Sequence, residues 1–177
     1  MPEVRRYACD WSESVALPDG TRLTLRTIRP SDKELLQRGM QRLSPESLRQ
    51  RFLVVRSALS PAELSYLTEV DGENHWAICG VLEHEPSQGV ATARVIRMAK
   101  GSDEAEIAVT VIDEYQRRGL GTLLFRHLVA AAQGRGIRAF YVISAYDNVA
   151  MQKIAASLAE IRSRTSGAGV TTLIASP

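Results

Sequence analysis

The sequence predicts a mixed α/β fold, one sheet flanked by helices, and three observations carry that expectation. Short runs with apolar residues at every second position recur along the chain, bounded by turn residues. Between them lie stretches with apolar residues at helical spacing and clear start signals. The two kinds interleave instead of falling into separate blocks, which suits one sheet with helices packed on it. With 177 residues, a single domain with a full core is expected over residues 21–177. Residues 1–20 form an arm or a short first hairpin ending in "LPDG".

Each element follows from its residues. "TRLTLRTIRP" alternates as a strand and is stopped by Pro30. "SDKELLQRGMQRL" follows as a short amphipathic helix with an Asx/Ser-type cap and an apolar stripe of Leu35, Leu36, Met40 and Leu43. Ser44 as N-cap and Pro45 at the first helical position start a second helix. Ser60 with Glu63 forms a capping box for a third. "HWAICGVLEH" and "GVATARVIR" read as an antiparallel hairpin around "EPSQG", and "EAEIAVTVI" as a third strand in series. From Thr122 to about Gln133 the apolar period is helical, with Gly134 and Gly136 as the stop. "IRAFYVIS" is a buried strand, "DNVAMQKIAASLA" a helix capped by Asp147 or Asn148, and "VTTLIA" a closing strand.

Composition narrows the function. A content of 45% hydrophobic and 24% charged residues is ordinary for a soluble globular protein. The net charge of +2 gives no global case for nucleic acid or an anionic membrane as partner. Cys9 and Cys79 have no metal-ligand spacing, so no metal is expected, and two free thiols suit a reducing compartment. No apolar run approaches the roughly 18 residues of a spanning helix, and the N-terminus has no signal-peptide core. A cytoplasmic location is expected.

Positive charge is nevertheless concentrated in "EYQRRGLGTLLFRHL", where paired arginines and a Gly-Leu-Gly turn precede a helix. Backbone N–H groups gathered at a helix N-terminus, with the positive end of its dipole, bind phosphate oxygens. Gly119 and Gly121 let the backbone approach such a ligand, Arg117 and Arg118 can add charge-assisted hydrogen bonds, and Thr122 a hydroxyl. A surface turn with solvated arginines would use the same residues. A P-loop is excluded because no lysine precedes Thr122. A dinucleotide fingerprint fits poorly, since position 124 is leucine and the next strand ends in Ser144-Ala145-Tyr146 without an acidic residue.

Gln116-Arg117-Arg118-Gly119-Leu120-Gly121, with "AEIAVTVIDEY" ahead and "GRGIRAFYVISAYDNVAM" behind, resembles the pyrophosphate loop of the GCN5-related N-acetyltransferases, the GNAT superfamily. The resemblance spans roughly residues 21–175 and implies a GNAT fold with a mostly antiparallel, twisted central sheet. It implies acetyl-CoA as co-substrate. Backbone groups of Val109, Thr110 and Val111 would then pair with the pantetheine arm. Gln116, Arg117, Arg118, Gly119, Leu120, Gly121 and Thr122 would hold the pyrophosphate, and Asn148 would contact the cofactor from the following helix. "LTLRTIRPSDKELL" and "RLSPESLRQRF" are similar to the opening of Pat-type protein acetyltransferase domains, which modify protein lysines. Two departures from that pattern stand out. Leu158-Ala159-Glu160 replaces the usual Leu-Gly-Phe, and no cyclic-nucleotide or synthetase-like domain is attached, so no built-in regulation is expected.

Acyl transfer to an amine needs the neutral amine, and a free lysine is neutral only about once in 2,500 molecules at pH 7, a barrier of roughly 4–5 kcal/mol. A general base relieves part of this. Glu106 interrupts the apolar strand "EIAVTV" and matches the glutamate of the Pat-like "AE-x-A" strand, so it is the expected base, with burial raising its pKa toward neutrality. An exposed glutamate at a strand start is the alternative. The position seven residues after Asn148, where many relatives carry a tyrosine acid, is Ala155. His75 is expected as a strand-edge residue with an acceptor-pocket role as the lesser alternative, His127 as structural and Cys79 as core. The arginines of "LRQRFLVVR" are expected on a solvated helical face, or as a surface that recognises an acidic protein. The expected activity is acetyl-CoA-dependent N-acetylation of a protein lysine in a ternary complex. A small-molecule amine acceptor and a non-catalytic acyl-CoA sensor are the alternatives.

Overall fold

The computed structural model describes residues 10–53 and 58–176. Its sheet has eight strands in the order β1-β2-β3-β4-β5-β6-β8-β7. β1 (Ser12–Ala16) and β2 (Arg22–Thr27) form the first hairpin, turned by Gly20 at φ +85°. β3 (His75–Leu82) is buried along its whole length, and β4 (Gly89–Arg97) and β5 (Glu104–Val111) continue the antiparallel run. β6 (Ala139–Ala145) joins β5 in parallel, the one parallel pairing among the described strands. β8 (Val170–Ser176) and then β7 (Glu160–Gly167) complete the sheet. The expected mixed α/β, mostly antiparallel architecture is what the chain adopts.

Among the described residues, five α-helices cover the sheet. α1 (Lys33–Gln41), α2 (Pro45–Phe52) and α3 (Pro61–Thr68) follow β2. α4 (Leu120–Gly134) packs on β4 and β5 through Leu124, Phe125 and Leu128, and α5 (Val149–Leu158) packs on α4 and β6. Pro45 and Ser44 start α2 as expected, and Ser60 with Glu63 forms the expected capping box of α3. Of the two candidate caps for α5, Asn148 serves, its Oδ1 accepting from the Met151 N–H at 3.1 Å.

Two local expectations are corrected. Asp32 does not cap α1 through its side chain. It reaches back to Arg26 in a paired contact of 2.7 and 2.8 Å and to the Arg29 N–H at 2.7 Å, and so ties the helix entry to β2. That hydrogen bonding holds the Arg26 guanidinium above its ordinary pKa. After α5 the chain goes directly into β7, a strand the periodicity does not reveal. Six of its eight residues lie exposed in succession, and Ile161 is the large apolar side chain it turns toward the core. A two-residue turn, Ala168 at φ +50° and Gly169 at φ +78°, reverses it into β8, the pair of positive φ angles that a type I′ hairpin requires. No helix among the described residues is long and apolar enough to cross a membrane.

Candidate active site

The parallel ladder between β5 and β6 stops at Ile107 paired with Val142. Beyond it β5 continues to Val111 while β6 diverges, which leaves a cleft of about 390 Å³ between the two strands. Val109, Thr110 and Val111 line one wall, with Ile143 and Ser144 on the other. The C-terminal half of β5 therefore presents a strand edge with no described strand beside it on that side.

The floor of the cleft is the start of α4. Gly119 sits at φ +85°, and a Cβ placed there would meet nothing within 4 Å. Glycine is needed at this position for its backbone conformation and not for protein packing. Arg117 is also left-handed, at φ +58°. Among the described residues no side chain caps the N-terminus of α4, and its first turn holds no acidic residue. The Leu123 N–H bonds to the Gly119 carbonyl at 3.0 Å, while the N–H groups of Leu120, Gly121 and Thr122 precede the first intrahelical bond. These are the donors an anion would use.

The residues expected to bind cofactor largely meet here. Val109, Thr110, Val111, Gln116, Arg117, Gly119, Gly121, Thr122 and Asn148 all line the cleft. Leu120 is buried, so only its backbone can contribute. Arg118 is turned elsewhere. Its guanidinium pairs with Asp19 at 2.9 Å and lies 4.9 Å from the centre of the Tyr115 ring. Gln116 spends its amide on the Ser47 hydroxyl and the Val111 carbonyl, both at 3.0 Å, and so pins α2 to the end of β5.

Asp113 strengthens the same joint. It accepts from the Ser44 N–H at 2.9 Å, the Ser44 hydroxyl at 2.7 Å and the Ser47 hydroxyl at 3.0 Å. Burial acts to raise its pKa, but these hydrogen bonds outweigh burial and hold the carboxyl below its ordinary value. A carboxylate at the N-terminus of α2 also complements the helix dipole.

Alternation along β5 puts Glu106, Ala108 and Thr110 on the face opposite Ala105 and Ile107. Thr110 lies against α1 and α2 on that face, so Glu106 points to the same side. The expected enclosure of Glu106 is not found. It is only half-buried, and it stands in Coulombic reach of the Arg51 guanidinium. Tyr141, its neighbour across the parallel ladder, carries its hydroxyl to Glu104 at 3.3 Å.

The arginines of α2 also differ from expectation. Arg49 is engaged by Glu46 and Asp147, both at 2.6 Å, and is not free for a partner. Arg51 turns inward and lines the cleft. Arg56 lies outside the described residues, as does Cys9. His75 is buried, 3.0 Å from Arg94, with its pKa pushed down to about 4 by burial and the Arg94 charge. His127 is buried in α4 with its ring 5.2 Å from that of Trp11. Burial pushes the Cys79 thiol up to about 12, so it is no nucleophile. Ala155 is fully buried, with no acid at that position.

A family model for the acetyltransferase (GNAT) family matches residues 31–158. The chain belongs to the GNAT family. It is 33% identical over 156 residues to the acetyltransferase PA5475 of Pseudomonas aeruginosa, covering 87% of this chain and 82% of that protein. It is 37% identical over 130 residues to the acetyltransferase Pat of Mycolicibacterium smegmatis. That match takes in 73% of this chain but only 38% of the longer Pat protein. The crystal structure of the GNAT domain of S. lividans PAT superposes with a TM-score of 0.83 at 29% identity, over 93% of this chain and 96% of that domain. The protein is a GNAT acetyltransferase of the Pat type, and GNAT acetyltransferases use acetyl-CoA as co-substrate. The cleft suits such a molecule on its own terms. An uncapped helix start faces the diphosphate's charge, and an unpaired strand edge faces the amides of the pantetheine arm.

Proposed function

We propose that the protein acetylates the side-chain amine of a lysine on a folded protein, by direct attack in a ternary complex, with Glu106 as the general base. One observation carries this reading: Glu106 stands where β5 leaves β6, on the face covered by α1 and α2, beside the open strand edge. A base at that point can accept a proton from an amine arriving over one face of β5 while the cofactor cleft opens along its edge. Acetyl-CoA supplies the activated acetyl group and a thiol leaving group.

The chain's own residues do the rest. Backbone groups of Val109 and Val111 hold the pantetheine arm as an added strand, and a backbone N–H of residues 107–111 polarises the thioester carbonyl. The N–H groups of residues 120–122 and the side chain of Arg117 hold the pyrophosphate. The Asn148 amide nitrogen, free of protein partners among the described residues, is available to the cofactor while its oxygen caps α5. Glu106 takes the amine proton directly or through a water. Ala155 is buried and supplies no acid, so the proton that the departing thiolate takes comes from water or from another group.

Likeness to the Pat domains supports a protein lysine as acceptor. A folded acceptor also contributes binding energy remote from its amine. The test is a panel of acceptors with acetyl-CoA, alongside an amine-free hydrolysis control. An intact protein acceptor is expected to give a kcat/KM well above that of a short peptide carrying the same lysine. Equal or higher kcat/KM for a polyamine, an amino acid or an aminoglycoside overturns the protein reading. Binding of acetyl-CoA with no turnover on any amine favours a sensor instead.

A further inference from the structure

Beneath α1, α2 and α3 lies a second cavity that adjoins the cleft, the two sharing Leu43, Arg51 and Thr110 as wall residues. Its free volume is about 60 Å³, several times the roughly 10–15 Å³ that one water needs. Leu36, Met40, Leu59 and Leu67 are among its walls, and α1 roofs it so closely that a Cβ on Gly89 would come within 2.5 Å of Leu35. Two guanidiniums stand in this apolar chamber, Arg51 from α2 and Arg94 from β4.

Arg94 is 3% exposed, and its Nη1 has two protein partners, the Leu67 carbonyl at 3.3 Å and His75 Nε2 at 3.0 Å. Among the described residues neither arginine has a carboxylate within ion-pair distance. Glu106 acts on Arg51 only at longer range. Burial and the Arg51 charge push the Arg94 pKa down to about 9, so it stays charged at neutral pH with only neutral partners to offset its burial. A buried arginine without a carboxylate is expensive to keep, and a fold that needed only packing here would be better served by an apolar residue.

We infer that this cavity is an acceptor subsite in which Arg51 and Arg94 clasp a carboxylate a few atoms from the amine being acetylated. The inference rests on the reading that the amine arrives on the Glu106 face of β5. The guanidinium pair supplies flat, forked donors that match a carboxylate, and the leucines accommodate the methylenes behind it. Glu106, two positions along β5 from Ala108 and on the same face as Thr110, takes the amine proton, while the arginines hold the far end of the acceptor. Two sources fit this chemistry: an acidic side chain close to the target lysine, or the acid group of an amino-acid acceptor.

Binding is measured first without turnover, by calorimetry on the CoA-bound protein with butyrate and with butyramide as its neutral match. Butyrate is expected to bind at least tenfold more tightly than butyramide, and Arg94→Met to remove the difference. Equal binding of the two, or a preference unchanged in Arg94→Met and in Arg51→Met, overturns the subsite. Arg94→Met is also expected to raise Tm, because it removes a buried charge, whereas an arginine kept for structure would lower Tm when replaced. A lower Tm in this variant overturns the inference. The source of the carboxylate is read from kinetics on lysine peptides flanked by glutamate or by glutamine, and on ω-amino acids. A glutamate preference that Arg94→Met abolishes assigns the side chain, and a preference for the ω-amino acid assigns the acceptor's own acid. Indifference to charge in both series overturns the subsite. A protein-lysine reading that fails while butyrate still binds leaves the subsite standing, so the two proposals fail separately.

Discussion

The cleft between β5 and β6 and the cavity beneath α1–α3 share Thr110 and Arg51, yet they are built in opposite ways. The cleft is made from backbone: an unpaired strand edge, an uncapped helix start and glycine at φ +85°. The cavity is made from side chains that meet from α1, α2, α3, β4 and, at its rim, β5. A backbone site must recruit glycine and a helix start in one contiguous stretch, so it writes itself into local sequence. A side-chain site is assembled from residues such as 51, 94 and 110, far apart in the chain, and no local pattern announces it. On the proposals made above, the backbone site would hold the co-substrate and the side-chain site would select the acceptor.

The largest effect separates chemistry from cofactor binding. Glu106→Gln keeps the side chain's shape but cannot take a proton, so kcat should fall on the order of 10²–10⁴-fold while CoA affinity stays within error. The loss should shrink at high pH, where more of the acceptor amine is already neutral. Steady-state rates from neutral to alkaline pH, with calorimetry for CoA, decide this. A variant running at the parent rate near pH 7 removes Glu106 from the mechanism.

This division also explains what could be read from the sequence. The turn and helix start at Gly119 were legible because a glycine pair directly ahead of an apolar-periodic run is a local signal. The direction of Arg118 was not, since the Asp19 that holds it is contributed by the first hairpin, 99 residues away. The arginines of α2 were legible as charge but not as inward or outward, because a helix eight residues long presents too few turns to define a face. Arg94 had a faint local signal: a charge in the middle of "GVATARVIR", whose neighbours Ala93 and Val95 are buried as well. β7 escaped because an edge strand that buries little has no apolar alternation to show.

The next effect tests whether the α4 loop is a ligand site or only a turn. Gly119 and Gly20 share φ +85°, and a Cβ at either would meet nothing within 4 Å. Valine at either position should therefore cost similar stability, on the order of 1–2 kcal/mol from the left-handed backbone. Only Gly119→Val should weaken CoA binding, on the order of 10–100-fold, because its Cβ stands where the ligand approaches the backbone. Thermal melts paired with CoA titrations compare the two. Equal CoA affinity in both variants would return this loop to the status of a turn.

A smaller effect concerns the joint that holds α2 over both regions. Replacing Asp113 with alanine removes three hydrogen bonds from Ser44 and Ser47 and should cost about 1–3 kcal/mol. Because the folded carboxyl lies below its ordinary pKa, its stabilising contribution is complete above the unfolded value near pKa ~3.9 and is lost as pH falls through the folded one. Acid melts of the parent should thus steepen below about pH 4 relative to Asp113→Asn. KM for the acceptor should rise more than KM for acetyl-CoA, because Arg51 travels with α2 while the α4 loop does not.

The smallest effect is expected at Arg49, and it bears directly on which arginines choose the acceptor. Arg49 and Arg51 lie two residues apart on one helix, yet one is spent on Glu46 and Asp147 at the surface and the other faces the cavity. Exposed ion pairs contribute little, since water screens them and two long side chains lose freedom in making them. Arg49→Gln should therefore leave Tm, kcat and both KM values close to the parent's, while Arg51→Gln raises the acceptor KM. Neutralisation is the informative change here. Charge reversal at Arg49 would set a third negative group beside Glu46 and Asp147, next to Asn148 at the start of α5, and would confound acceptor and cofactor effects. If Arg49→Gln raises the acceptor KM as much as Arg51→Gln does, selection lies on the outer face of α2, and the division between the backbone-built cleft and the side-chain-built cavity no longer describes how the acceptor is chosen.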